Sequence, residues 1–438
     1  MDELTARTVA VAWRKAGEKL GFAGPGLFVG LQLDGCIGSF GVRVDQSDNR
    51  TRIVIHDERP STLSGFHWRA GAEQSVRVRD GVATGDASFD DRVVARGDPV
   101  VIAAFFTASM RRSILRATTG GGSFEGGILS LDLPEPPRSA TALVSAIRRA
   151  LALARRMTTP RDLAASLATN ARRDTVPAVR LNCLEQLCES FPKSSTRIVR
   201  AALRDPDPGV RLRAATVLPE EGRRQLLGLA RGFRLDETIQ AGAIAALNRP
   251  PVRAMRLVLG KAIKLGEEQV ALEAISALGR SGSRKALVPL ARHTKSPSVA
   301  IRVAAIRALS ATRQTEAQVA LVSSLGSTLS EAREAAAEGL GNLGTVNAVA
   351  PLRAAVDAHP LDLGLRRAVS RAIASIQARA TGAEPGQLSL AVDAGTGALS
   401  LTDSESGQLS LTPDSASPQA IRSALPRTRM HPPRSGSR

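Results

Sequence analysis

Seven apolar residues recur at a nearly constant spacing through the second half of the chain, and this ladder constrains its architecture more than any other feature. A small residue or valine follows each ladder residue by four positions, and leucine or isoleucine follows it by eight. Because positions i, i+4 and i+8 share one face of an α-helix, each ladder residue predicts a helix with an apolar stripe. A period of roughly 31 residues leaves room for a second short helix and two turns, which predicts a solenoid of seven helix pairs. The ladder residues are Val179, Val210, Ile239, Val270, Ile301, Ala332 and Leu365.

An arginine follows the ladder residue in five of the seven units. The fullest copy reads DPDPGVRLRAATVL, from Asp205 to Leu218, whereas two units depart from the pattern with Gln240 and Ala271. This run resembles a HEAT repeat of the short HEAT-like subclass, and the resemblance covers about residues 139–378. It implies that the second helix of each pair lines a concave surface that holds a partner.

Residues 1–134 predict a compact α+β domain. A helix is expected over residues 3–19, and glycine-punctuated extended runs after it predict an antiparallel meander. The run from Phe89 to Pro99 predicts a strand, after which Asp98 caps a helix over about residues 99–117. This strand-to-helix turn resembles one found in uncharacterised bacterial α+β domains, a resemblance that implies no activity.

A further amphipathic helix is predicted from Ser139 to Arg156, between the first domain and the ladder. Its apolar face suits the end of a repeat stack, so we assign it as the N-terminal cap of an all-α solenoid over residues 139–378. Its polar side carries the densest basic stripe in the chain. This stripe fits either partner binding or the polar outer face that a cap needs for solubility.

The net charge of +18 is concentrated on the ladder region. Residues 135–380 hold 38 Lys and Arg against 20 Asp and Glu, and the excess is greatest over residues 138–264, with 24 against 10. Clustered positive charge favours a polyanion or an acidic protein as partner. The alternative interpretation is a bias towards arginine codons, because only 7 of the 59 basic residues are lysine, with part of the arginine paired inside the stack.

After the ladder region, the composition changes to Gly, Ser, Thr, Asp and Pro, which predicts a disordered tail over residues 381–438. The tail contains three GxLSL segments, at 386–390, 397–401 and 407–411, and residues 127–131 of the first domain share the pattern. Alternation of leucine with small polar residues predicts that the tail pairs with a strand edge near residues 127–131. The alternative is a low-complexity linker.

No catalytic residue, no cofactor and no metal is predicted, since the sequence has no phosphate loop, nucleotide fingerprint or metal-type spacing. Two enzyme families resemble the chain in using HEAT-like repeats: DNA glycosylases, which rely on aromatic and acidic residues, and phycobilin lyases, for which aromatic and histidine residues are expected. The ladder region has only Phe191 and Phe233 as aromatic residues. The sequence therefore predicts that the protein is not an enzyme.

Location is inferred from three further features. Three cysteines without metal-type spacing indicate free thiols in a reducing compartment. The start of the chain is acidic and then amphipathic, unlike a secretory signal, and the longest apolar run, Val100 to Met110, is too short to span a bilayer. We therefore expect a cytoplasmic protein.

Together these features predict a HEAT-repeat scaffold or adaptor that binds a protein partner on a concave, arginine-rich surface. The alternative is sequence-independent nucleic-acid binding through the basic first half of the solenoid. Counterion release makes nucleic-acid affinity fall steeply with salt, so salt dependence separates the two. The arginines predicted to contact the partner are Arg148, Arg149, Arg155, Arg156, Arg180, Arg211, Arg302 and Arg333.

Overall fold

A region containing a β-sheet precedes a helical repeat region, in agreement with the predicted fold class. The chain divides into two compact units, of which the first is Met1–Asn248 with Lys264–Glu273 and the second is Arg249–Ile263 with Ala274–Arg438. The computed structural model describes residues 3–22, 32–47, 50–58, 65–71, 81–159, 161–232, 234–379, 388–390 and 399–401.

The first unit contains a seven-stranded antiparallel sheet in the order β1-β2-β3-β7-β6-β4-β5. Its strands are β1 Gln32–Ile37, β2 Phe40–Ser47, β3 Arg50–Asp57, β4 His67–Ala70, β5 Val93–Arg96, β6 Gly122–Glu125 and β7 Ile128–Leu133. Buried and exposed residues alternate along β3, where Ile53 and Ile55 face the core and Arg52 faces solvent. The predicted meander holds for the first three strands. The next neighbour of β3 is β7, because β4 pairs with β5 and β6 instead.

Five helices accompany the sheet: α1 Glu3–Leu20, α2 Ala87–Asp90, α3 Pro99–Phe105, α4 Ala108–Ala117 and α5 Ala140–Thr158. Asp98 caps α3 as predicted, since its carboxylate accepts a hydrogen bond from the Val100 backbone N–H. The single helix expected over residues 99–117 is two helices. The break occurs at Phe106 and Thr107, where the Thr107 hydroxyl accepts from the Met110 N–H and so caps α4.

Helix α5 packs on the sheet, whereas the sequence assigned it to the end of the solenoid. It lies against α1, β3 and β7, and its buried residues belong to the same core as Trp13, Trp68 and the phenylalanines of the sheet. Leu143 and Ile147 are fully buried in this core. The apolar stripe was recognised correctly, but an amphipathic pattern says only that one face is buried and not which element covers it.

Fourteen helices lie between residue 163 and residue 379, and in chain order they divide into seven pairs. The ladder residue is the third residue of the second helix in every pair. Short 3₁₀ turns, Arg284–Ala286 and Val346–Ala348, precede two of the first helices. The pairs are α6 Leu163–Arg173 with α7 Pro177–Ser190, α8 Pro192–Ala202 with α9 Pro208–Val217, α10 Pro219–Ala230 with α11 Glu237–Ala245, α12 Val252–Leu265 with α13 Glu268–Arg280, α14 Leu287–His293 with α15 Val299–Ala311, α16 Ala317–Leu325 with α17 Ser330–Leu343, and α18 Val349–Ala358 with α19 Leu363–Arg379.

Most ladder positions are buried, as the pattern requires. All seven residues four positions after a ladder residue are buried, from Cys183 to Val369. Ile239, Leu218 and Ile373 are only partly buried. Small residues allow the second helices to approach closely: a Cβ added to Gly341 of α17 would lie 2.9 Å from the Ala372 Cα of α19.

The predicted disordered tail, 381–438, lies outside the described residues except for two short strands. These strands, β8 Leu388–Leu390 and β9 Leu399–Leu401, come from two GxLSL segments and pair antiparallel with each other. The predicted pairing of the tail with residues 127–131 is wrong, because β7 lies between β3 and β6 and both of its edges are occupied. In the part of the chain that the structure describes, no helix is long and apolar enough to cross a membrane.

Candidate functional site

The arginine that follows the ladder residue closes the turn before its own helix. In five units its guanidinium donates to the backbone carbonyl six positions earlier, with N···O distances between 2.7 and 2.9 Å. The donor and acceptor residues are Arg180 and Asp174, Arg211 and Asp205, Arg302 and Ser296, Arg333 and Ser327, and Arg366 and Pro360. A turn carbonyl that is shielded from water needs a donor, so the arginine has a structural task at this position.

Two of these arginines also join consecutive repeats. Arg180 binds the Asp205 carboxylate with two N–H donors, at 2.9 and 2.7 Å, and both side chains are 7% exposed. The hydrogen bonds that Arg180 donates to Asp205 raise the pKa of Arg180 above its usual value. In the second unit, Arg333 likewise uses two N–H donors to bind the carboxylate of Asp362 in the next helix pair. A charge-assisted, nearly dry pair of this kind fixes the register between neighbouring helix pairs.

The lowered pKa of Asp362 makes the free energy of unfolding depend on pH in the acid range. The backbone N–H of Leu365 and the side chains of Arg333 and Ser330 stabilise the carboxylate and lower its pKa to about 2. The unfolded chain therefore binds this proton near pH 4, whereas the folded protein binds it near pH 2, so the stabilisation is complete above pH 4 and is lost as the pH falls towards 2. We expect D362N, which keeps a capping oxygen, to show a smaller loss of unfolding free energy between pH 5 and pH 2 than the wild type.

Urea titrations at several pH values measure this difference. D357N removes an exposed carboxylate from the preceding helix α18 and is the matched control, expected to keep the wild-type pH dependence. Equal pH dependence in the wild type and D362N contradicts the assignment.

Arg111, a buried arginine outside the ladder pattern, joins the sheet region to the first repeat. Arg111 of α4 donates to Asp174 at 3.0 and 2.9 Å, to Asp86 at 2.8 Å and to the Phe106 carbonyl at 2.7 Å. Burial alone lowers the pKa of Arg111, but the hydrogen bonds and charges of Asp174 and Asp86 raise it above its usual value. The Asp174 carboxylate also accepts a hydrogen bond from the Val176 N–H, so it connects α4 with the start of α7.

The four arginines of α5 have different surroundings. Arg148 and Arg149 are exposed. Arg155 lies over the Phe40 ring of the sheet at 5.9 Å, and Arg156 donates to hydroxyls of α4, those of Ser113 and Ser109, at 2.9 and 3.0 Å. The predicted basic stripe is therefore exposed at Arg148, Arg149 and Arg155, and Arg155 and Arg156 also hold α5 in place.

A separate set of arginines lines an open groove between α8 and α10. The groove has a volume of about 700 Å³ and is called the arginine groove below. The exposed Arg197 and Arg200 lie on α8, Arg204 follows that helix, and Arg224 lies on the facing helix α10. The other lining residues are Ala201, Leu203, Glu220, Glu221, Arg223 and Gln225.

One ion pair spans the arginine groove. Arg200 binds Glu221 through two N–H donors, at 2.6 and 2.9 Å, and the hydrogen bond raises the pKa of Arg200 and lowers that of Glu221. The pair is exposed, so it is screened by water and adds little to stability. With five arginines against two glutamates, the lining keeps an excess of positive charge. Such a surface attracts carboxylates or phosphates.

None of the arginines in this groove was predicted individually. The available signal was the excess of basic residues over 138–264 together with the spacing of Arg197 and Arg200, which places them on one side of α8. The ladder drew attention to the second helices instead. The groove lies between two first helices, which carry no ladder residue.

The described residues offer few groups suited to metal binding or nucleophilic attack. No group of three or more His, Cys, Asp or Glu side chains there is arranged to hold a metal ion. Burial raises the pKa of the Cys183 thiol to about 12. The Asp90 carboxylate accepts hydrogen bonds from Thr84 and the Gly85 N–H and so stabilises a loop.

Part of the helical repeat region matches a known family profile. The profile of HEAT repeats matches residues 256–339 and 289–374, so this part of the chain consists of HEAT repeats. No curated protein matches the chain. Human deoxyhypusine hydroxylase in complex with glycerol is 14% identical, and the match covers 49% of this chain and 96% of that chain with a TM-score of 0.23. An engineered protein is 20% identical, with 44% of this chain and 95% of that chain covered and a TM-score of 0.28.

The prediction that the protein is not an enzyme, drawn from missing motifs and scarce aromatic residues, is contradicted by one of the structures that match the chain. Deoxyhypusine hydroxylase is an enzyme, and its structure is among those that match the chain. Similar folds carry unrelated sites, so a helical repeat region is compatible with catalysis. At this level of similarity no particular activity follows for the chain.

Proposed function

We propose that the helical repeat region is a scaffold that binds a protein partner, and that an acidic segment of the partner lies in the arginine groove. The observation that carries the proposal is the groove itself, where five arginines and two glutamates line an open cleft of about 700 Å³. Arg197, Arg204 and Arg224 are exposed there and present guanidinium donors to solvent. Bidentate pairing with carboxylates is the interaction for which guanidinium groups are best shaped.

An acidic protein segment suits this lining better than a nucleic acid. Glu220 and Glu221 lie among the arginines and repel a continuous phosphate backbone, whereas a protein segment can place a basic or neutral residue opposite them. The lining residues of the groove include no aromatic side chain on which bases stack. Sequence-independent nucleic-acid binding is the second candidate, because the exposed Arg148 and Arg149 add positive charge to the same unit.

Charge reversal in the groove tests the proposal. We expect R197E/R204E/R224E to weaken binding of a labelled 20-residue poly-glutamate peptide by about 10- to 100-fold, because three charge pairs of about 0.5–1 kcal/mol each are lost. The matched control, R307E/R353E/R367E, makes the same change in net charge at exposed arginines of the second unit. Fluorescence anisotropy at 50 to 300 mM NaCl gives both affinity and salt dependence.

Two outcomes would decide against acidic protein binding at this groove. Equal weakening in both triple variants would mean that net charge alone attracts the peptide. Tighter binding of a 20-base-pair duplex than of the peptide, with a steep salt dependence that the groove variant reduces, would assign the groove to nucleic acid.

Binding by the eight arginines of the sequence-based prediction stays a separate proposal, best supported at Arg148, Arg149 and Arg155 because these three are exposed. We place the protein in the cytoplasm, in line with three free cysteines, Cys36, Cys183 and Cys188.

A further inference from the structure

A second periodic row, distinct from the buried ladder, lies on the surface of the second unit. Leu257, Val288, Val319 and Ala350 are evenly spaced along the chain, one per repeat, on α12, α14, α16 and α18. They are called the apolar row below. Leu257 is 65% exposed, Val288 72% and Val319 77%, and Ala350 is exposed as well.

The periodic exposure of the apolar row needs an explanation. Single exposed apolar residues are common on protein surfaces and mean little. Here an apolar residue occupies the equivalent exposed position in four consecutive repeats. Val288 and Val319 also flank a groove of about 360 Å³ between α14 and α16, and the buried Leu309 lies among its lining residues. A row of apolar residues with a groove between two of them is the form of surface on which a helix docks.

The spacing of the row matches one class of partner. Helix α14 lies against α16, and α16 lies against α18. Packed helices are about 8–10 Å apart, and seven residues of an α-helix rise about 10.5 Å. A helix that crosses these elements therefore meets one residue of the row with each of its own seven-residue repeats.

Charge indicates the chemistry of the partner. A basic residue stands three or four positions after Leu257, Val288 and Ala350, at Lys261, Arg292 and Arg353, so it lies on the same side of its helix as the row. Helices α12, α14 and α16 contain no acidic residue. Glu316, just before α16, lines the groove and forms an ion pair with Arg284. The surroundings of the row therefore carry an excess of positive charge.

We propose that the apolar row is a docking surface for an amphipathic helix of another protein, which carries an apolar residue every seven positions and acidic residues beside them. The apolar residues of this helix pack between the exposed side chains of the row, and its acidic residues lie near the basic residues that follow Val288 and Ala350. This surface belongs to the second unit and is independent of the arginine groove, which belongs to the first.

The test uses the full chain and two designed 22-residue helical peptides of identical composition. One peptide has leucine at every seventh position and glutamates beside the leucines, and the other has leucine at every fifth position. We expect the seven-residue peptide to bind the wild type at least about tenfold more tightly than the other. V288E/V319E should lose at least about tenfold in affinity for it, whereas L361E, which alters a 93% exposed leucine away from the row, should not.

Any of the following results overturns the proposal. The wild type fails to bind the seven-residue peptide at 1 mM, or binds both peptides equally. V288E/V319E and L361E bind the peptide as the wild type does. Alternatively, sedimentation shows a self-association of the wild type that V288E/V319E abolishes, which makes a second copy of the chain the occupant. Unchanged peptide binding in R197E/R204E/R224E separates this test from that of the arginine groove.

Discussion

Replacement of Arg111 by methionine is expected to lower the unfolding free energy of the first compact unit by about 3–5 kcal/mol. The guanidinium is 3% exposed and binds Asp174, which is 1% exposed, and Asp86. Methionine fills a similar volume but leaves two carboxylates with no cation in a region that water scarcely reaches. The cost of an uncompensated buried charge is the reason for the large effect.

Tryptophan fluorescence during urea unfolding measures this change. Both tryptophans, Trp13 and Trp68, are buried in the sheet core, so their signal reports on the part of the chain that contains Arg111. R112M changes the exposed neighbour on the same helix and should alter the unfolding free energy by no more than about 0.5 kcal/mol. Addition of D174N to R111M should restore part of the loss, because one buried charge is then removed. An R111M midpoint equal to that of the wild type would refute the role of this network.

The second large effect is expected at the ladder. L309A should lower the unfolding free energy of the second compact unit by about 2–5 kcal/mol, because the removed side chain is fully buried and the rigid helices around it cannot close the cavity. Leu309 stands eight positions after Ile301 and therefore tests the register of the ladder.

Circular dichroism at 222 nm during urea unfolding is the suitable measurement, since the second unit is helical over most of its described length. V299A lies on the same helix α15 but is 44% exposed, and it should change the unfolding free energy by about 0.5 kcal/mol or less. Equal stability of L309A and V299A would show that the predicted register is wrong. The tryptophan signal should be much less affected by L309A, because both tryptophans lie in the first unit.

The sequence was a good guide wherever structure depends on neighbours along the chain. The ladder placed each second helix, and Asp98 before Pro99 correctly predicted a helix start. These signals are local, since they depend on the period of the α-helix and on a cap that acts within its first turn. The break at Phe106 and Thr107 was missed, because a threonine inside an apolar run gives no strong signal until its hydroxyl caps the second helix.

The candidate site was less predictable, because exposure is not a local property. Arg180 and Arg200 are the same residue type on neighbouring helices, yet Arg180 is buried against Asp205 while Arg200 lies in an open groove. The partner of Arg180 is 25 residues away, and that of Arg111 is 63 residues away. Composition revealed an excess of arginine, but it did not show which guanidinium groups are already bound.

The sequence by itself determined the repeat length, the apolar face of each second helix and the basic character of residues 138–264, because periodicity and charge are properties of the chain. Only the tertiary structure decided that α5 covers the sheet, that Arg180 and Arg333 join consecutive repeats, and that the apolar row is exposed. An apolar side chain is buried only where another element packs on it, and an arginine is available only where no carboxylate or carbonyl meets it. Both conditions depend on residues far away in the sequence, which meet once the helices have packed.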